Sequence, residues 1–359
     1  MTTASRISCV GRNWNGPSLL RTAVSVTIAV GAVGLAACGG GPETITPSQH
    51  FRSRPDLEPP LVRVLTRAHR TAAGYIFIAP KKNVEQAGPL ILDNRGHVVW
   101  FRPLETRGVT DFRVQRYRGQ PVLTWWRGRA THGKRDGSYA IVDGAYRTVA
   151  LVRPGNGLVG DIHEFLITKR DTALMTIFHR VQRAGRTVFE GALQEVEIAT
   201  GRVLFEWHSI DHVGLRESYE APPRKVSAPY DYFHINSIDV DTDGNLLVSA
   251  RNTHAVYKID RRTGAIVWRL GGKKNDFRLG PGARFAWQHD TRRLPDGTIS
   301  LFDNEAAPRV GRQSRAIVLR LDLKRRRALL VRSFVHHPPL LAVDQGNAQL
   351  LPDGHFLIG

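Results

Sequence analysis

Residues 232–270 read YFHINSIDVDTDGNLLVSARNTHAVYKIDRRTGAIVWRL. Two turn signals punctuate the stretch: Asp243-Gly244 precedes the apolar run NLLVSAR, and the segment Asp260 to Gly264 precedes the aromatic-ended run AIVWRL. Short apolar runs bounded by Asp/Gly turns predict β-strands, because Gly supplies the positive φ of a tight turn while β-branched and aromatic residues suit a pleated surface. Both signals recur. The turn before an aromatic-ended strand starts at Asp93, Asp143, Ala199, Asp260 and Asp322, and the turn before a plain apolar strand starts at Arg118, Asp171, Asp243, Asp296 and Asp353. Steps of roughly 50–70 residues, each holding several strands, match the blade period of a β-propeller. A large β-sandwich would not keep two interleaved signatures in step along the whole chain.

The expected fold is therefore all-β, a β-propeller over residues 57–359, with long helical periodicity absent from that span. Five units are complete, and the last run stops at Gly359 in mid-strand, while residues 57–79, with GYIFIA, offer a further strand pair. Six blades are expected, the closing blade mixing strands from both ends of the chain and truncated at its C-terminus.

Composition supports a large core and narrows the partners. The chain has 359 residues, 42% hydrophobic and 23% charged, which excludes disorder, and two cysteines, which exclude a disulfide scaffold or a multi-cysteine metal module. A net charge of +19 is the usual footprint of a nucleic-acid binder. Here the basic residues are nearly all arginine and are spread along the chain. The longest run is Lys324 to Arg327, with no basic tail, so no nucleic-acid partner is expected and codon bias explains the charge.

The N-terminus reads as an address. Residues 1–21 carry Arg6, Arg12 and Arg21 and no acidic residue, and the apolar stretch from Thr22 to Ala37 leads to Leu35-Ala36-Ala37-Cys38. A basic region, a short apolar region and small residues before a cut describe a secretory signal, too short for a membrane span of about 20 residues. LAAC resembles a bacterial lipobox. Residues 1–37 are read as a lipoprotein signal peptide, Cys38 as the lipidated first mature residue, and the Gly/Pro-rich segment 38–56 as a flexible tether. The protein is expected to be exported and lipid-anchored to the outer face of the cell membrane.

Chemistry concentrates at one position of the repeat. The strands before the second series of turns place Asn236, His289 and Asn347 at nearly the same offset, with His163 within one residue and His234 two earlier. The strand opening a blade lies nearest the axis and its side chains alternate, so His234 and Asn236 are expected on one face. Histidines and asparagines at matched places in successive blades would converge on one axial pocket. Arg251, ending the buried run NLLVSAR, needs either an anion or a salt bridge to another blade. His132, His179, His208, His212, His254, His336 and His337 read as surface or turn residues, and Trp100, Trp125, Trp126 and Trp268 as packing between blades.

GDIHEF, YFHINSIDVDTDGNLLVSAR and FAWQHDTRRLPDG together resemble the bacterial arylsulfate sulfotransferases, six-bladed propellers, over roughly residues 75–359, and in particular their short lipoprotein branch. The resemblance implies a PAPS-independent transferase that moves a sulfuryl group from an aryl sulfate to a phenol through a sulfohistidine. It implies that His289, after Trp287-Gln288, is the nucleophile. His163, His234, Asn236 and Arg251 would hold the sulfuryl oxygens and assist the leaving phenol. No cofactor and no metal are implied. The N-terminal β-sandwich common in that family is absent from this reading. The residues alone also admit a non-catalytic cell-surface propeller binding another anion, a quinoprotein-like oxidoreductase (from the turn Thr263-Gly264 leading to Trp268), and a tri-histidine zinc site. The sequence does not specify an oligomeric state.

Overall fold

A computed structural model describes residues 49–66, 71–105, 108–131 and 134–359. The expected signal peptide and Cys38 lie outside the described residues. The segment read as a tether is described from Gln49, whose side chain bonds the Gly96 carbonyl (3.1 Å) and the Val98 amide (2.8 Å).

The described residues form an all-β chain with only two short 3-10 turns, at Ser209–Asp211 and Leu215–Glu217. Its first sheet holds β1 (Ile76–Ile78), β2 (Leu90–Leu92) and β3 (Val98–Phe101). A four-stranded meander follows: β4 (Val109–Tyr117), β5 (Gln120–Thr131), β6 (Lys134–Val142) and β7 (Thr148–Val152). The third sheet runs through β8 (Gly160–Ile167), β9 (Thr172–Arg183), β10 (Arg186–Glu197) and β11 (Val203–His208), with the short β12 (Tyr230–Asp231) parallel to β10. The fourth comprises β13 (Ile235–Val240), β14 (Leu246–Ala250), β15 (Ala255–Ile259) and β16 (Ile266–Gly271). In the fifth, β17 (Arg278–Leu279) edges a meander of β18 (His289–Arg293), β19 (Ile299–Asp303), β20 (Arg315–Asp322) and β21 (Arg327–Val335). These five sheets are the blades of a propeller. The expected count of six is not confirmed: among the described residues the last segment forms a two-stranded sheet, β22 (Ala348–Leu350) with β23 (Phe356–Ile358).

The two turn series have separate places in a blade. Turns starting at Asp93, Asp143, Ala199, Asp260 and Asp322 precede the last strand of each meander, whereas those at Arg118, Asp171, Asp243, Asp296 and Asp353 follow the innermost one. Gly244 and Gly264 have φ of 84° and 76°, values at which any side chain would be strained, which explains the repeated glycine.

Both faces of a blade are buried, so β14 is apolar on both. Leu246 and Val248 pack with Trp207, Phe233 and Tyr257, while Leu247 points the other way, into a cluster with Trp268, Leu301 and Leu319. Each fully buried Leu contributes about 1.5–3 kcal/mol.

The innermost strands depart from regular pairing at one level. Register shifts fall at Thr110/Arg113 in β4, Gly160/Phe165 in β8, Ile235/Ser237 in β13 and His289/Arg292 in β18. Such bulges leave backbone N–H groups without a ladder partner. Side chains of the preceding blade accept several of them. Asp111 takes the Phe165 amide (2.8 Å), Glu164 that of Ile238 (3.3 Å), Ser237 that of Thr291 (3.0 Å), and Asp290 that of Ala348 on β22 (3.0 Å). This relay fixes the inner strands to one another and sets the level of the site.

Candidate active site

His289 is delivered by its two predecessors. The Gln288 amide donates to Ser249 Oγ (3.0 Å) and to the Ala250 and Ala255 carbonyls (both 3.1 Å), pinning the strand to the neighbouring blade. The Trp287 indole N–H donates to the Pro308 carbonyl (2.9 Å). His289 opens β18 and is 5% exposed. Trp287, Asp290 and His234 have φ of 58°, 54° and 56° respectively. Left-handed backbone at non-glycine residues costs about 1–3 kcal/mol each and persists where surrounding structure imposes it.

The ring of His163, on β8, lies 5.2 Å from that of His234 and 6.4 Å from that of His289, centroid to centroid. Phe178 of β9 stacks on His163 (5.6 Å) and meets His234 edge-on (5.1 Å), giving the cluster an aromatic wall. Nδ1 of His163 bonds Asp161, and Nδ1 of His234 bonds Asp231. Each carboxylate orients its ring and engages it through Nδ1.

His289 differs in its partner. Its Nδ1 lies 2.8 Å from Asn304 Oδ1, while the Asn304 amide nitrogen donates to the carbonyls of Ala342 (3.0 Å) and Gln345 (2.9 Å). With both amide hydrogens engaged on carbonyls, the oxygen must face His289, so Nδ1 carries the hydrogen and Nε2 the lone pair. Burial pushes the His289 pKa down to about 3, helped by the positive charges of His163, His234 and Arg251 and opposed by the bond to Asn304. The imidazole is neutral at physiological pH.

Asn236 donates from its side-chain amide to the Gln288 carbonyl (2.7 Å), next to His289, and its buried Oδ1 has no partner among the described residues. Simple alternation does not relate it to His234, since Asn236 sits in the β13 bulge and His234 precedes the strand. Arg251 stands over the Trp287 ring (4.9 Å from its centroid) and donates to Asn252 Oδ1 (2.8 Å). Longer contacts of 3.5 Å reach the carbonyls of Ala307 and Val343. Among the described residues no carboxylate lies within ion-pair distance of it, so the inter-blade salt bridge weighed from sequence is not formed.

Several functional neighbours escaped the sequence reading. Asp161 and Asp231 stand two and three residues before their histidines, a spacing that could have flagged them. Asn304 is remote from His289 in sequence, and only the β18–β19 pairing brings it near. His254, read as a surface residue, is buried instead, stacked on Tyr219 (4.1 Å) and edge-on to Trp287 (4.3 Å), and burial pushes its pKa down to about 3. A cleft of about 650 Å³, lined by Tyr219, His254, Phe277, Phe285 and Glu305 among others, adjoins the site through His254. His208 is half-buried, and its hydrogen bond to Glu190, then that to Glu206, raises its pKa to about 9. Trp125, Trp126 and Trp268 are buried between blades as expected, and Trp100, half-buried, packs on Phe112 of the next sheet (6.1 Å) as well as on Tyr146 (5.1 Å).

The residues adjoining two of the histidines turn elsewhere. Glu164 pairs with Arg113 (2.8 Å) and Arg292 (2.6 Å), and Arg292 also holds Asp290 (2.6 Å). Arg113 reaches back to Asp111, so a chain of ion pairs ties β4, β8 and β18 together. Burial opposes ionisation of Asp290, but Arg292 and Arg113 hold its pKa below the ordinary carboxylate value.

The fold and this cluster define a propeller whose inner strands bring three histidines together. Residues 113–359 match the arylsulfotransferase (ASST) family, and the chain belongs to it. No curated protein matches the sequence. Among solved structures, a Bacteroides caccae protein of unknown function is 15% identical, covering 79% of this chain and 81% of its own, with a TM-score of 0.45. A streptogramin B lyase is 10% identical, covering 79% and 78%, with a TM-score of 0.42. A virginiamycin B lyase from Staphylococcus aureus is 10% identical, covering 80% and 81%, with a TM-score of 0.40.

Proposed function

We propose that the protein transfers a sulfuryl group from an aryl sulfate to a phenolic acceptor, with His289 as the nucleophile. The observation that carries this reading is a buried, neutral imidazole whose Nδ1–H is held by Asn304, beside two carboxylate-oriented histidines. The His289 Nε2 lone pair attacks sulfur; the N–S bond forms as the S–O bond to the aryl group breaks. The departing phenolate, of pKa about 10, takes a proton from Nε2 of His234 in its protonated form, with His163 alongside. The acceptor phenol returns a proton to His234, its oxygen attacks sulfur, the N–S bond breaks, and neutral His289 is restored. Positive charge on the sulfated ring is stabilised by Asn304 Oδ1.

Sulfuryl transfer resembles phosphoryl transfer in spreading charge over equatorial oxygens, so fixed donors are the main catalytic contribution. Arg251, with no carboxylate partner, and the second amide hydrogen of Asn236 supply such donors. A propeller that binds an anion in the same pocket without turnover is the second reading, favoured by Arg251 alone.

Purified protein incubated with 4-nitrophenyl sulfate and a phenol is expected to release nitrophenol, and a quenched reaction to yield a His289 peptide heavier by one sulfuryl group. Turnover unchanged in His289→Ala would remove the assignment, and tight donor binding without turnover would establish the second reading.

The relay of inner-strand bonds continues to Ala348, which supports β22–β23 as the inner half of a sixth blade. Residues 1–37 are proposed as a lipoprotein signal, with Cys38 acylated and the propeller held at the outer face of the membrane. Cys38→Ala should then leave the protein in the soluble fraction of the expressing cells.

A further inference from the structure

A second group of histidines lies on the third blade, apart from the axial pocket. Along β9, Phe178 turns toward His163 and His234, whereas the next residue, His179, turns to the opposite face, where it meets Glu190 of β10 and His208 of β11. The pairing of β9 with β10 sets His179 directly across from Glu190. Nδ1 of His179 is 2.9 Å and Nδ1 of His208 is 2.8 Å from the same oxygen, Glu190 Oε1. One ligating atom from each of the three residues lies within 4.8 Å of the others.

Three features distinguish this group from ordinary ion pairing. Glu190 is 1% exposed, yet its second carboxylate oxygen, Oε2, has no hydrogen-bond partner. A buried carboxylate oxygen left without a partner is costly unless something occupies the place beside it. His208 presents Nδ1 to the centre of the group and Nε2 to Glu206 (2.9 Å). Glu206 is itself fixed by Asn156 (2.8 Å) and Gln194 (2.5 Å). A ring held by a carboxylate on one nitrogen while the other faces the ligand position is the arrangement that supports metal-bound histidines. Finally, His179 is 40% exposed at its side chain and His208 24%, so an ion can reach the group from solvent.

We propose that His179, Glu190 and His208 form a site for a divalent transition-metal ion of the zinc class. Two imidazole nitrogens and a carboxylate are donors suited to Zn²⁺, and the solvent side leaves the fourth position to water. On binding, His208 releases its Nδ1 proton to solvent and keeps the hydrogen on Nε2 toward Glu206, His179 carries its hydrogen on Nε2, and the two Nδ1 lone pairs, with a Glu190 oxygen, take the metal. The ion would join three adjacent strands of one blade and raise the blade's resistance to unfolding.

Untagged full-length protein, stripped with a chelator and dialysed, should be titrated with Zn²⁺ by calorimetry and with Co²⁺ by visible absorption. One equivalent is expected at the group, with a higher melting temperature in Zn²⁺. His179→Ala should weaken binding about tenfold or more. His234→Ala, which alters the axial pocket, should leave the affinity unchanged. X-ray absorption on the Zn²⁺-loaded wild type should show two imidazole ligands, and this measurement requires no variant to fold. The proposal fails if the folded wild type takes up no ion, if His179→Ala binds as well as wild type, or if His234→Ala rather than His179→Ala removes the site.

Discussion

His163 and Glu164 are neighbours in sequence, as are His289 and Asp290, yet the members of each pair belong to different regions of the molecule. The histidines meet in a pocket whose nucleophile candidate is buried, neutral and bonded to an amide. The acids join a chain of buried and half-buried ion pairs with Arg113 and Arg292. The first region is built from imidazoles, each held by one polar partner, whereas the second is a chain of opposite charges closed on itself. Alternation along bulged inner strands lets one short segment serve both: the acids hold the strands in register, and the histidines are thereby held in place.

The sharpest way to break this division is Glu164→Ala. Removing the carboxylate takes from Arg113 and Arg292 the partner they share, leaving them Asp111 and Asp290, and the expected loss is about 3 kcal/mol of stability, read by denaturant unfolding. An unchanged unfolding midpoint would mean that the ion pairs do not hold the blades.

Asn304→Asp tests the other region. A carboxylate in place of the amide favours the imidazolium, so transfer at pH 7 should fall about 10²–10³-fold and recover as pH rises. Stability should change much less than in Glu164→Ala. A pH–rate profile identical to that of wild type would show that the neutral tautomer of His289 is unimportant.

The third expectation concerns acid. The folded-state pKa values of His289 and His254 are both depressed to about 3, against about 6.5 in the unfolded chain. Unfolding therefore takes up protons below about pH 6.5. The stability tied to each group is complete above that pH and is lost on acidification toward 3, at about 1.4 kcal/mol per pH unit. Unfolding measured at pH 7 and pH 5 should show this slope in wild type and a shallower one in His289→Asn; equal slopes would contradict the burial argument.

The smallest effect is expected from Arg251→Lys. An ammonium cannot keep both the Trp287 stack and a planar pair of donors, so KM for the aryl sulfate should rise about tenfold with a lesser change in kcat. Equal KM values would place Arg251 outside the pocket's work.

Much of this was legible in the sequence because it is local. Asp/Gly turns need particular φ values, and a blade buried on both faces needs apolar runs such as LLVSA, so the repeat and the all-β propeller could be read residue by residue. The near-matched offsets of His163, Asn236 and His289 were legible for the same reason, since repetition brings equivalent positions to one axis, whereas His234 stands two residues earlier. What the sequence could not carry is long-range pairing. Asn304 becomes the partner of His289 only when β19 folds beside β18, and His254 becomes buried only when Tyr219 and Trp287 close over it. Likewise, His179, Glu190 and His208 show no motif spacing and meet only because three strands align in register. The sequence by itself determined the repeat and the axial histidines; the tertiary structure decided which nitrogen of His289 bears the hydrogen, because that depends on a neighbour from another strand and on exclusion of water.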